Sequence, residues 1–253
     1  MRRPLLAATA AVLLIPAAPA QARGVTARVI GEPATTKRSV VVPVAAGSIE
    51  KLVVPRSGLR GRYGRIAASS LRLGDTVTAT VRSVRGGRAR ATRVKVVRRG
   101  AAPAFATLER RRQGALATVR QAIDALPAAG RSASEGGEPA QQRARIVAAR
   151  YDLNIIVASL DEQAAAFGRL LPGVREAPRV AARVTEARDA TRTASTQLQD
   201  AVTQLDEALL AVGGDSPEPL PVDVLGTVSQ VLDTAVQVLD GLGLPGVVGG
   251  NPR

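Results

Sequence analysis

The apolar residues of this chain repeat with two different periods, and the change falls near residue 100. Before it, Val77, Ala79 and Val81 alternate with Thr76, Thr78, Thr80 and Arg82. That two-residue rhythm belongs to a strand with one buried and one wet face. After it, Ile146, Leu153, Leu160 and Phe167 recur at seven, as do Val184, Thr191, Leu198, Leu205 and Val212. A seven-residue rhythm is the seam of packed helices. The chain is therefore expected to be α+β, with a β module at 23–100 and a helical module at 101–212.

Five Val- and Thr-rich runs fill the first module: Val25–Ile30, Ser39–Ala45, Ile49–Val54, Thr76–Val84 and Arg88–Val97. Gly and Pro clusters separate them. Arg85-Gly86-Gly87 supplies a tight turn between the last two. In the final run the apolar parity shifts from Ala89 and Ala91 to Val94 and Val96, which predicts a β-bulge that bends the strand. Five strands in a module of this size predict a small barrel of OB or SH3-like type. The segment LRLGDTVTATVRSVRGGRARATRVKVV resembles small OB-like modules of exported bacterial proteins. The resemblance rests on Leu73, Gly74-Asp75, Val77, Gly86-Gly87, Ala91 and Val94. Those modules mostly have no assigned activity, so the resemblance implies a fold and an address rather than a reaction.

Three long helices and a tail follow. Phe105, Leu108, Leu116, Val119, Ile123 and Leu126 share one helix face that Pro127 ends. Residues 130–139 form a polar linker. The second helix carries Ile146 to Phe167 and stops at Leu171-Pro172-Gly173. The third runs from about Glu176 to Val212, with Ala187, Ala194, Ala201 and Ala208 beside its seam. Alanine at every seventh position permits close helix approach, and the expected form is an elongated antiparallel bundle. At 213–253 a proline-rich break precedes an acidic amphipathic helix with Val224, Val231 and Val238 at heptad spacing, each followed by leucine. That helix either completes the bundle, meets a copy of itself or another protein, or lies on a membrane. Asp233 and Asp240 on its polar face favour protein contact over lipid.

The N-terminus MRRPLLAATAAVLLIPAAPAQA has a charged start, a short apolar core and Ala20-Gln21-Ala22. It predicts a secretory signal peptide over 1–22. No later segment is apolar for long enough to span a bilayer. The expected address is periplasmic, extracellular or cell-envelope associated. With no cysteine, such a chain must rest on its core or on assembly rather than on disulfides.

Charge is segregated as sharply as periodicity. The chain carries a formal net charge of +14. Gly24 to Gly100 holds 17 Lys and Arg against Glu32, Glu50 and Asp75, whereas the helical module is nearly balanced and the tail is acidic. Arg56, Arg60, Arg62 and Arg65 sit in the glycine-spaced run PRSGLRGRYGR. Arg82, Arg85, Arg88 and Arg90 lie on the last hairpin, followed by Arg93, Lys95, Arg98 and Arg99. The first eight are the candidate anion-binding residues, since guanidinium grips phosphate and carboxylate bidentately. Tyr63 is the only aromatic of the β module. Successive base stacking lacks platforms, and nucleic acid is disfavoured as a partner.

Histidine and cysteine are absent, which removes the commonest general base, thiol nucleophiles and the main transition-metal ligands. No enzyme activity, cofactor or metal site is expected. The expected function is a non-enzymatic envelope-associated protein. Its basic barrel binds an anionic envelope polymer or an acidic lipid surface, and its helices act as spacer or oligomerisation unit. The alternative is a secreted protein-interaction module. There Val224, Val231, Leu232, Val238 and Leu239 would form the partner surface and the barrel would be scaffold.

Overall fold

The computed structural model describes residues 22–126, 139–211 and 222–242. The expected signal peptide up to residue 21, the linker at 130–138, Val212 and most of the proline-rich break lie outside the described residues.

Five long strands close into a barrel. They are β1 (Arg23–Val29), β3 (Ser39–Ala46), β4 (Ile49–Pro55), β7 (Thr76–Arg85) and β8 (Arg88–Arg98). β1 runs antiparallel to β3, β3 to β4, β8 to β7 and β7 to β1. The circuit is completed by a parallel pairing of β4 with the first half of β8. Closure leaves none of these five strands with a free edge along its whole length. Three short strands decorate the barrel. β2 (Ala34–Thr35) pairs with β3, while β5 (Leu59–Gly61) runs parallel to the second half of β8 and turns back as β6 (Gly64–Arg65).

The alternation of the sequence becomes inside and outside. Val77, Ala79 and Val81 are buried, and Thr78, Thr80 and Arg82 are exposed. The parity change in β8 is a bulge. Thr80 faces Arg93 and Val81 faces Ala91, which leaves Thr92 as the extra residue. Gly58 packs against that bulge: a Cβ there would stand 2.4 Å from the Thr92 carbonyl oxygen, so the crossing of chain over strand requires glycine.

The Gly74-Asp75 pair has a structural task. Gly74 adopts φ +81°, and Asp75 is completely buried. Its Oδ2 accepts from the Arg72 N–H and from Arg99 Nη1, each at 3.0 Å, and its Oδ1 accepts from the Gly100 N–H at 2.6 Å. One carboxylate thus clips the entry of β7 to the exit of β8, and satisfies donors that burial would leave unpaired.

Four helices follow: α1 (Phe105–Asp124), α2 (Pro139–Leu170), α3 (Pro178–Ala211) and α4 (Val222–Gly241). α2 packs on α1 and α3, and α4 packs on α1 and α3. Cross-helix contacts fix the directions. Thr118 meets Asp152 at 2.7 Å while Arg111, two turns earlier, meets Ser159, so α1 and α2 are antiparallel. Ser195 bonds Asp161 and Arg150 pairs with Asp206, so α2 and α3 are antiparallel too. The heptad positions Ile146, Leu153, Leu160, Val184, Leu198 and Leu205 are all buried.

The helical part has two cores, and one of them belongs to the barrel. Phe105, Ala166, Phe167, Leu170, Val174, Val180, Val184 and Ala187 join the barrel interior in one continuous apolar cluster. The chain's only two phenylalanines both sit at this junction. The more distant parts of α1, α2 and α3 build a second cluster with α4. Among the described residues no helix is long and apolar enough to cross a membrane.

Candidate functional site

Strand register places the cations of the β module in rows. Lys51 on β4, Arg88 on β8 and Arg85 on β7 are direct cross-strand neighbours. A second row runs from Arg65 on β6 through Arg60 on β5 to Lys95 on β8, and continues to Thr78 on β7. Between them Arg90 faces Val53 and Ser83, and Arg93 faces Thr80. All of these cations lie on outward-facing positions; Lys51 and Arg60 are half-buried and the others exposed. The two rows are about 23 Å apart along β8 at the usual strand rise. Alternate residues of one strand thus carry a cationic stripe down the outside of the barrel.

Of the eight expected anion-binding residues, Arg60, Arg65, Arg85, Arg88 and Arg90 come together on this face. Arg82 is exposed beside it, on a register irregularity of β7. Arg62 sits at the tip of the β5–β6 ribbon with its guanidinium 5.3 Å from the centre of the Tyr63 ring. Arg56 stands apart: its Nε donates to the Thr36 carbonyl at 3.0 Å and pins the loop beside β2. Lys51 was missed by sequence reasoning. Its only signal is outward parity in IEKLVV, and its place in a row depends on the parallel pairing of β4 with β8. Arg99, grouped with the hairpin cations on sequence, is bound to Asp75.

Among the described residues, none of the three acids of the barrel forms an ion pair with the cations of these two rows. Asp75 is enclosed beneath Arg99. Glu50 packs against Gly87 in the turn between Arg85 and Arg88, and among the described residues its one ion pair is with Arg183 of α3, 3.7 Å away. Glu32, in the loop between β1 and β2, faces α1. Burial, and then the charge of Glu109, hold its carboxyl above the ordinary glutamate range. Glu109 itself is lowered, chiefly by its hydrogen bond from Arg112. As pH rises the unfolded chain releases the Glu32 proton before the folded one does, so ionisation costs stability above the ordinary glutamate range. Glu32→Gln is expected to raise Tm at pH 7 and to leave it unchanged near about pH 3. Thermal melts at the two pH values check this, and an equal shift at both would refute it.

Beside the second row lies a cleft of about 480 Å³, lined by the β5–β6 tip and the end of β8. Its lining combines Arg62, Arg65, Arg98 and Arg99 with Tyr63 and the apolar side chains of Ile66, Val96 and Val97. Tyr63 is 91 % exposed.

Comparison with protein-family models, curated proteins and solved structures finds no match. Among the described residues no group of three or more metal-ligating side chains is assembled.

The residues expected to bind a partner on α4 are placed differently from the cations. Val231, Leu232 and Leu239 are buried in the distal helical core, and Val224 and Val238 are half-buried against it. Arg112 of α1 donates to the Leu239 carbonyl at 3.0 Å, and Arg120 pairs with Asp240 at 3.1 Å. Cations from α1 thus cover the negative end of α4.

Proposed function

We propose that this is a non-enzymatic, exported, envelope-associated protein whose barrel holds an anionic polymer or headgroup surface along β8. The observation that carries the reading is the pair of cationic rows, Lys51–Arg88–Arg85 and Arg65–Arg60–Lys95, with none of the barrel's three acids in an ion pair with them among the described residues. Like charges in cross-strand register repel. A bound polyanion removes that repulsion and releases its own counterions. We read the barrel as OB-like, because its first long strand lies between the second and the fourth and its third runs parallel to the fifth. The helices, read as an elongated antiparallel bundle, then act as a spacer or assembly unit. The signal peptide and export are the address that suits such a ligand.

The alternative is a secreted protein-interaction module that uses the helical bundle and the acidic tail, with the barrel as scaffold. In it Val224 and Val238, half-buried beside the buried Val231, Leu232 and Leu239, are the α4 residues left partly open to a partner.

The test is co-sedimentation of the whole chain with purified cell envelope across a salt series. The whole chain is needed because helix residues complete the barrel core. If six cations engage, affinity is expected to fall on the order of a thousandfold between 50 and 200 mM salt. Replacing Arg60, Arg65 and Arg88 together by Ala should roughly halve the slope of log affinity against log salt. Binding that is indifferent to salt overturns the mechanism.

A further inference from the structure

We propose that the cleft under the β5–β6 tip binds a carboxylated glycan, with Tyr63 as the sugar-stacking platform and Arg62, Arg65 and Arg98 as carboxylate ligands. This inference rests on the polyanion-binding reading and names the chemistry of its ligand. A site for bare phosphates needs only cations. Here the cations share one cleft with an exposed aromatic ring and the apolar side chains of Ile66 and Val97. Val97 is itself 53 % exposed. Apolar side chains and a ring face suit a ligand that is itself a ring with apolar faces and a negative substituent at its edge. A uronic acid residue has that form: its axial C–H groups pack on the aromatic face while its carboxylate meets guanidinium bidentately.

The local backbone supports ligand access. Gly64, at φ +139°, has open space where a Cβ would stand. Arg62 approaches one face of Tyr63, and 91 % exposure of the residue leaves the ring accessible to a ligand. Two other ring-bearing or interfacial ligands fit less well. Single-stranded nucleic acid calls for successive stacking platforms, and Tyr63 is the only aromatic of the barrel. An acidic bilayer is a convex-to-flat surface, whereas these residues line a concavity.

Tyrosine fluorescence gives a direct readout, because the chain has two tyrosines and no tryptophan. In Tyr151→Phe, altered on the exposed side of α2, Tyr63 is the sole emitter. The whole chain is titrated at low salt with polygalacturonate, inorganic polyphosphate of matched charge, oligo-dT, and phosphatidylglycerol vesicles. Polygalacturonate is expected to change Tyr63 emission and to bind most tightly of the four. Tyr63→Ala, which removes the fluorophore and is therefore followed by isothermal titration calorimetry beside the parent, is expected to weaken polygalacturonate about tenfold. It should leave polyphosphate within about twofold. Salt-sensitive binding of all four probes with no effect of Tyr63→Ala overturns the glycan site and leaves the polyanion reading standing. Tighter, Tyr63-dependent binding of oligo-dT or vesicles also overturns it, in favour of that ligand. Failure of every probe to bind at low salt overturns both.

Discussion

Phe167→Ala should lower the stability of the whole protein by about 3–5 kcal/mol, the usual cost of removing a large buried aromatic. Phe167 is fully buried, and its cluster contains barrel residues from β1 to β8 as well as the ends of α2 and α3. In a chain with no cysteine, no covalent tie offsets the loss. The expected signature is joint: helix ellipticity and amide-hydrogen exchange across β7 and β8 should report one shifted denaturant transition, because barrel and helices share this core. If helix ellipticity melts early while the β7 and β8 amides keep their original midpoint, the junction does not couple the two parts. Phe167→Leu retains most of the volume and should cost less than half as much, about 1–1.5 kcal/mol.

Asp75→Ala is the second large effect, expected at about 3 kcal/mol. The loss comes mainly from backbone donors. Without the carboxylate the N–H groups of Arg72 and Gly100 lose their acceptor, and each orphaned buried donor costs about 1–3 kcal/mol. The ion pair contributes less, because the Arg99 side chain is 43 % exposed and its charge is screened. Arg99→Ala is accordingly expected to cost under about 1 kcal/mol. Urea unfolding of the two variants separates these contributions. Equal losses would mean that the guanidinium, not the backbone, is the main partner of Asp75. Asp75→Asn should fall between them, since an amide oxygen can still accept one of the N–H bonds.

Much of this architecture was legible in the residues because it depends on local periodicity. Val77, Ala79 and Val81 had to face inward together once the segment was extended, and the step from Ala91 to Val94 required an extra residue, found at Thr92. The heptads of α2 and α3 map onto buried positions for the same reason. The α4 pattern left three outcomes open. An amphipathic stripe specifies that a face is covered but not by what, and here α1 and α3 cover it.

The candidate site was half legible. An excess of arginine in one segment is a property of composition, and chain order alone placed Arg82 to Arg90 on one hairpin. That Lys51 joins Arg88, or that Arg60 and Arg65 join Lys95, depends on parallel pairings between residues 35 or more apart. Arg56 and Arg99 look like their neighbours in sequence, yet one is bound to a backbone carbonyl and the other to a buried carboxylate. The two periods, the five long strands, the helices, the bulge and the sign of the charge follow from residues a few positions apart, whereas the short strands β2, β5 and β6 carry no such pattern. Tertiary structure decided which cations stand side by side, where the three acids turn, and that Phe105 and Phe167 complete the barrel core. Those outcomes are set by barrel closure and helix docking, whose contacts no local pattern encodes.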